Sequence, residues 1–181
     1  MSKIARLPIT VPNDIKLLVA DNKKLISIES KNAKIDLPYH TSINMVQDGG
    51  TVSFQSDGLL RNRTTKSVVG TVYATVKRTI VDIQNKFAVK LTLKGVGYKS
   101  SYDNQILSLS LGFSHPVKIA IPKDIEVKVT QNTIIELFGY NRRNVMDVAT
   151  SIRSLRKPEP YKGKGIFINN ETITLKEGKK K

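Results

Sequence analysis

The chain has 181 residues, of which 39% are hydrophobic, enough for a packed core in one large domain or two small ones. Its 30 lysines and arginines outnumber 15 aspartates and glutamates, and the net charge of +15 predicts a polyanionic partner, nucleic acid before an acidic membrane surface. The absence of cysteine excludes disulfides, thiolate zinc sites and thiol nucleophiles, and two histidines are too few for a multi-histidine centre, so we expect no metal and no cofactor.

The first part of the chain alternates apolar and polar residues as β-strands do. Residues 15–19, 25–28 and 51–54 predict strands, and Asp21-Asn22 and Asp48-Gly49-Gly50 predict turns between them. No apolar run reaches the roughly 18 residues of a membrane-spanning helix. Residues 1–8 carry neither an apolar signal core nor a transit-peptide pattern, so we expect the protein to work in the compartment where it is made.

From about residue 64, the apolar residues recur at the spacing of a helix instead of that of a strand. An apolar stripe recurs every fourth residue over about residues 64–83, with further apolar residues beside it: Val68, Val72, Val76 and Ile80, flanked by Val69, Tyr73 and Ile83. This spacing predicts an amphipathic helix with Tyr73 in the core. One helix on one sheet makes a small α+β unit.

The second part repeats this order of strands followed by one helix. Residues 87–93, 96–102, 106–111 and 117–121 predict strands, with a hairpin turn at Asp103-Asn104. Asn141 is a candidate N-cap for a helix whose apolar residues recur at helical spacing: Val145, Val148, Ala149, Ile152 and Leu155.

The two parts also share sequence. Val11-Pro12-Asn13-Asp14-Ile15 reappears as Ile121-Pro122-Lys123-Asp124-Ile125, and the strand, turn and apolar run that follow keep an offset of 109 to 110 residues. We interpret this as a duplicated α+β module, although a proline and an aspartate beside a strand also recur by chance. The predicted domains are residues 1–82 and 83–156, each a mostly antiparallel sheet with one main helix, followed by a basic C-terminal extension over 157–181.

The end of the chain concentrates the charge and loses the apolar period. Residues 153–181 contain 9 basic and 3 acidic residues. Pro158 and Pro160 end the helix and predict an extended path, and Gly163 and Gly165 allow close approach of a partner. Lys157, Lys162 and Lys164 can neutralise phosphates while the Tyr161 ring stacks on a base or ribose. The alternative is a solvated linker. A chain that ends at Leu155 is expected to keep its fold and to bind RNA weakly.

Several smaller motifs have competing interpretations. Gly95-Val96-Gly97 lacks the third glycine and the helix of a dinucleotide loop, which favours a bulge or close packing at the base of a hairpin. Ser114-His115 lacks a nucleophile-elbow sequence, which favours a structural or RNA-facing histidine. Arg61 and Arg63, just before the first predicted helix, either hold a phosphate or are solvated. His40 is interpreted as a surface or loop residue. Glu159 either forms an ion pair with Lys157 or Lys162 or contributes little to stability.

Several segments along the chain resemble one family, and they follow one another in the family's order. Pro158-Glu159-Pro160-Tyr161-Lys162-Gly163-Lys164-Gly165-Ile166 resembles the signature of the large-subunit ribosomal protein L6 family, bacterial type. Lys94-Gly95-Val96-Gly97-Tyr98 with residues 109–117 resembles its central hairpin, and residues 1–9 and Lys179-Lys180-Lys181 resemble its two ends. Residues 141–146 depart from the family pattern.

The resemblance implies two related α+β domains, a structural role in the large ribosomal subunit, and no catalysis. It implies binding to large-subunit rRNA near the sarcin–ricin loop and the landing site of translational GTPases, beside other large-subunit proteins, without a membrane or a small-molecule substrate. The ribosome would be that of a bacterial cytoplasm, a mitochondrial matrix or a plastid stroma. The predicted RNA-binding residues are Lys157, Tyr161, Lys162, Gly163, Lys164, Gly165, Lys94, Tyr98, Lys99, Arg153 and Arg156.

Two other classes of function have less support in the sequence. A peripheral membrane protein would need large apolar residues such as tryptophan beside the lysine-rich tail, but the chain has no tryptophan and residues 176–181 contain no large apolar residue. An enzyme acting on nucleic acid would need an acidic metal-binding cluster or a general base in a cleft, and no pair of carboxylates stands out.

Overall fold

The computed structural model describes residues 7–20, 25–39, 43–48, 50–56 and 63–178. The chain divides into two compact units, residues 1–85 and 86–181. Each unit contains one long helix, and every strand pairing in the described ranges is antiparallel. The predicted α+β class is therefore confirmed. The predictions for residues 1–6, 21–22, 40, 49, 61 and 179–181 and for the side chain of residue 63 lie outside the described residues.

The first unit contains two three-stranded sheets and a helix. Its elements in chain order are β1 (Ile9–Thr10), β2 (Ile15–Ala20), β3 (Leu25–Ser30), β4 (Lys34–Pro38), β5 (Ile43–Asp48), β6 (Thr51–Ser56) and α1 (Arg63–Gln84). The strand orders are β2-β3-β4 and β1-β6-β5. The sequence pattern missed β4 and β5, whose short runs mix charged or polar residues with apolar ones.

Helix α1 packs its apolar face against β6 and β3. Tyr73 is buried and meets the Phe54 ring edge-on, with the centroids 6.3 Å apart, so the prediction of a core tyrosine is confirmed. The buried face is centred slightly differently from the predicted stripe, because Val68 and Val72 are half-buried at its margin. The buried hydrophobic positions in the described part of α1 are Val69, Tyr73, Val76, Ile80 and Ile83, and Thr79 and Asp82 are also buried.

The second unit contains a four-stranded and a three-stranded sheet. Its elements are β7 (Phe87–Lys94), β8 (Lys99–Asp103), β9 (Ile106–Ser110), β10 (Val117–Ala120), β11 (Ile125–Thr130), β12 (Ile134–Gly139), α2 (Arg142–Leu155) and β13 (Gly165–Ile168). The strand orders are β11-β12-β7-β13 and β10-β9-β8. The β8–β9 turn is centred on Asn104 and Gln105, both at positive φ, one residue later than predicted.

Helix α2 begins as the sequence predicts. The Asn141 side chain accepts a hydrogen bond from the Arg143 N–H at 3.1 Å, which caps the first turn. Val145, Ala149 and Ile152 are buried against the four-stranded sheet. A β-carbon at Gly139 would lie 2.6 Å from Val145 Cγ2, so the helix sits closer to β12 than a side chain there would permit.

The repeated sequence folds alike in both units. Ile15 N–H donates to the Pro12 carbonyl at 3.0 Å, and Ile125 N–H donates to the Pro122 carbonyl at 3.1 Å. Each turn opens an antiparallel pair, β2–β3 in the first unit and β11–β12 in the second. The 110-residue offset therefore extends from sequence to a shared turn and strand pair.

The predicted extension after α2 is not confirmed as an extended arm. Residues 165–168 form β13, which pairs with β7 so that Ile166 lies opposite Leu93. Ile166 is 0% exposed and Phe167 4% exposed. A chain that ends at Leu155 would lose this edge strand and two buried side chains, which argues against the expectation that it keeps its fold.

The described residues include no helix long and apolar enough to cross a membrane.

Candidate nucleic-acid interface

Residues 157–164, here called the signature loop, turn back on themselves between α2 and β13. At the base of the loop, Ile166 N–H donates to the Arg156 carbonyl at 3.0 Å. Inside it, Glu159 N–H donates to the Lys164 carbonyl at 2.8 Å and Gly163 N–H donates to the Glu159 carbonyl at 3.1 Å. The predicted extended path is therefore replaced by a closed loop.

The two glycines serve the loop's own folding. Gly165 has a φ of +141°, and a β-carbon there would lie 2.7 Å from the Lys157 carbonyl oxygen and from Pro158 Cα. Gly163 has a φ of +65° in the left-handed region. At Gly165 the missing side chain lets the chain approach itself closely, whereas the prediction was a close approach of this backbone to a partner.

The charged and aromatic side chains of the loop point away from the core. Lys157, Lys162 and Lys164 are exposed, and Tyr161 is 57% exposed. Glu159 forms no ion pair with Lys157 or Lys162 in the part of the chain that the structure describes. Three ammonium groups and one phenol ring are thus available to a ligand on a constrained loop.

The pairing of β13 with β7 brings the two predicted groups of RNA-binding residues together. Gly165, the first residue of β13, lies opposite Lys94, the last residue of β7. Because the strands are antiparallel, the signature loop and the β7–β8 turn lie at the same end of the sheet. The signature loop and the β7–β8 turn both belong to segments that resemble the family, and the pairing of β13 with β7 makes them neighbours in space.

The β7–β8 turn contributes two lysines and one structural tyrosine. Lys99 is exposed, and Lys94 Nζ lies over the Phe167 ring, 4.5 Å from its centroid. Tyr98 is only 6% exposed, and its ring fills the space left by Gly95, where a β-carbon would lie 2.7 Å from Tyr98 Cε2. Tyr98, predicted among the RNA-binding residues, therefore lies in the core, and the predicted close packing at Gly95 is confirmed.

A third segment, residues 112–115, joins this end of the unit. A β-carbon at Gly112 would lie 3.6 Å from Tyr98 Cε1, which places the loop beside the β7–β8 turn. Arg156 Cζ lies 5.5 Å from the centroid of the Phe113 ring, which links the loop to the end of α2. We call residues 94–99, 112–115 and 156–164 together the three-loop end.

The three-loop end carries a strongly positive charge. Its sequence contains six basic residues and one acidic residue, Glu159, and the basic ones are Lys94, Lys99, Arg156, Lys157, Lys162 and Lys164. This gives a net charge of +5 on three short segments. Such a density of exposed cations attracts phosphates and is sensitive to salt.

Arg153, which the sequence also placed among the RNA-binding residues, has a partner within the chain. Its Nε–H donates to Glu171 Oε2 at 2.9 Å, and Ile168 N–H donates to the same oxygen at 3.4 Å. The hydrogen bond from Arg153 lowers the pKa of the Glu171 carboxyl below its ordinary value, and partial burial opposes this effect. Arg153 thereby fastens the residues after β13 to α2.

The histidine of Ser114-His115 is exposed, and its Nδ1 lies 3.4 Å from the Ser114 hydroxyl, which is also exposed. Across the described ranges, no group of three or more histidine, aspartate or glutamate side chains is placed to hold a metal ion.

Sequence reasoning missed Phe113. The residue lies in the segment that resembles the family's central hairpin. One aromatic residue in a loop gives no periodic signal, so the sequence alone did not indicate a role for it. Its exposed fraction of 43% and its contact with Arg156 become visible only in three dimensions.

The fold and this site define a class: small basic α+β proteins built from two related units, with cationic loops gathered at one end of the second unit. The model of the ribosomal protein L6 family matches residues 94–167, which contain the whole three-loop end. Proteins named large ribosomal subunit protein uL6 match along their entire length. Those of Stutzerimonas stutzeri, Pseudomonas aeruginosa and Methylococcus capsulatus are 35%, 37% and 36% identical over 181 residues, covering 100% of both chains.

The chain belongs to the ribosomal protein L6 family. The relatives named above are bacterial, and an organellar origin is not supported.

Proposed function

We propose that the protein is a structural constituent of the large ribosomal subunit of a bacterium and binds large-subunit rRNA through its three-loop end. The observation that carries the proposal is the gathering of six basic side chains around one constrained loop, in a chain of this family. The protein's role is to hold packed RNA segments in place, and no chemical step is assigned to it.

The binding mechanism is phosphate neutralisation on a preformed surface. Lys157, Lys162 and Lys164 extend from a loop closed by its own hydrogen bonds, so little backbone entropy is lost on binding. Each phosphate contact releases condensed counterions from the RNA. Since no array of side chains here reads successive bases, recognition depends on RNA shape.

On the basis of the family resemblance, we propose that the RNA-binding surface lies near the sarcin–ricin loop and the region where translational GTPases land. In this arrangement the three-loop end contacts rRNA, and other faces meet neighbouring large-subunit proteins. The GTPases are neighbours of the site rather than ligands of the loop.

The salt dependence of RNA binding tests the proposal. We expect the double variant Lys162→Ala, Lys164→Ala to bind bacterial large-subunit rRNA more weakly, and its slope of log affinity against log salt to fall by up to about two units. Filter binding between low and moderate salt measures both quantities.

A matched control removes the same charge elsewhere. Lys16 and Lys31 are exposed in the first unit, and the variant Lys16→Ala, Lys31→Ala should retain most of the slope. Equal losses in the two double variants would mean that net charge alone drives binding. Failure of the unaltered protein to co-sediment with large subunits at low salt would refute the function itself.

A further inference from the structure

Phe113 is an aromatic side chain that the fold holds at the surface. Its loop is anchored by Leu111, which is 0% exposed, and by Gly112, whose φ of +76° turns the chain outward beside Tyr98. Burial of a phenylalanine side chain stabilises a fold, and at 43% exposure much of this gain is forgone. The ring is therefore available to a ligand.

Arg156 holds its guanidinium beside this ring. Its backbone is fixed at the end of α2, because its carbonyl accepts the hydrogen bond from Ile166 N–H at the base of the signature loop. Its Cζ lies 5.5 Å from the ring centroid, within the range of a cation–π contact. Both side chains are exposed, so the pair presents a flat aromatic face and a planar cation together.

The surroundings of the pair favour one chemistry of ligand. Lys157 follows Arg156 directly, and the three-loop end has a net charge of +5. An unstacked nucleobase fits such a place, since bases stack on aromatic rings and on arginine guanidinium planes while the attached phosphate is held by a lysine. Neither contact requires a particular base.

We propose that Phe113 and Arg156 form a stacking site for one unpaired nucleobase of RNA. The inference rests on the proposed function and deepens it, because it assigns a base contact to a surface otherwise described through phosphates. The site distinguishes RNA with a splayed-out base from a regular helix of equal charge.

The composition of the chain supplies a direct test, because it contains no tryptophan. In the variant Phe113→Trp, the single indole should be quenched when bacterial large-subunit rRNA binds, since a stacked base quenches indole emission. Polyphosphate binds cations but has no bases, so it should leave the emission unchanged. The matched control Val46→Trp, at an exposed position on β5, should stay bright with both ligands.

The outcomes separate the two proposals. Binding of rRNA by filter assay without quenching of the Phe113→Trp indole overturns the stacking site and leaves the proposed function standing. Equal quenching by polyphosphate also overturns the stacking site, because phosphate alone would then account for the signal. Failure of the unaltered full chain to bind rRNA overturns both.

A second variant gives an independent measurement. Phe113→Leu keeps an apolar side chain without a ring, and we expect rRNA affinity to fall roughly tenfold with an unchanged salt slope. Thermal unfolding of the variant checks that its fold is intact. An affinity equal to that of the unaltered chain would overturn the site.

Discussion

Gly165 occupies a position that no other residue tolerates without rearrangement. Its φ is +141°, and a β-carbon would lie 2.7 Å from the Lys157 carbonyl oxygen. We expect Gly165→Ala to lower the free energy of unfolding by about 1–3 kcal/mol, because it adds both backbone strain and a steric clash. Chemical denaturation measures the change. Gly178→Ala is the control, since a β-carbon there would meet no atom within 4 Å; equal stability of the two variants would contradict the prediction.

The ion pair between Arg153 and Glu171 predicts a pH dependence of stability. Because the pKa of Glu171 is lowered in the folded state from an ordinary value of 4.5, the pair stabilises the fold above about pH 4.5. This contribution is lost as the pH falls through the lowered folded pKa, where the carboxylate becomes protonated. We expect Glu171→Gln to be less stable than the unaltered chain by about 1 kcal/mol at pH 7, with the difference shrinking as the pH falls below 4.5.

Thermal unfolding from pH 7 to pH 3 measures that difference. Glu177→Gln removes an equal charge at an exposed position and should follow the unaltered chain throughout. A difference that stays constant as the pH falls would show that Glu171 stabilises the fold by packing rather than by its charge.

Strand β13 is the element that joins the core to the loop. It brings Ile166 and Phe167 into the fold, and burial of each side chain contributes about 1.5–3 kcal/mol. We expect a chain that ends at Leu155 to be much less stable than one that ends at Gly178, because only the former loses the strand. Guanidinium denaturation of both chains measures this. Equal denaturation midpoints would mean that β13 adds nothing to the core.

The elements that the sequence predicts well are those whose pattern is local. Helices α1 and α2 follow from the spacing of their apolar residues, and Asn141 marks the start of α2 through a hydrogen bond two residues away. Strand β13 is too short for a period, and its flanking lysines and glycines are typical of an exposed segment. Its burial depends on a partner strand some 70 residues earlier in the chain.

Individual residues of the candidate site could be predicted from the sequence, but the way in which the fold brings them together could not. The lysines of the signature loop follow from charge and family resemblance, and the structure exposes them. Tyr98 looks like a surface aromatic in sequence, yet the absence of a side chain at Gly95 lets its ring enter the core. Phe113 and Arg156 are more than 40 residues apart, so no local pattern could have joined them.

Charge is divided unequally between the two units of the whole molecule. Residues 86–181 contain 18 basic and 8 acidic residues, a net charge of +10, and residues 1–85 contain 12 and 7, a net charge of +5. We expect the fragment 86–181 to keep most of the affinity of the full chain for rRNA and most of its salt slope. Circular dichroism verifies that each fragment is folded before filter binding compares them. Stronger binding by the fragment 1–85 would contradict the assignment.

In the closed signature loop, several backbone positions have no free N–H group to offer to a ligand. Prolines at 158 and 160 have no N–H to donate, and the N–H groups of Glu159 and Gly163 are already used inside the loop. A nest of amides of the kind that grips phosphate in nucleotide-binding loops is thus ruled out at these positions. In the proposed complex, the phosphate contacts are therefore made by the long side chains of the loop, which can follow small shifts of the RNA surface while the loop beneath them keeps its shape.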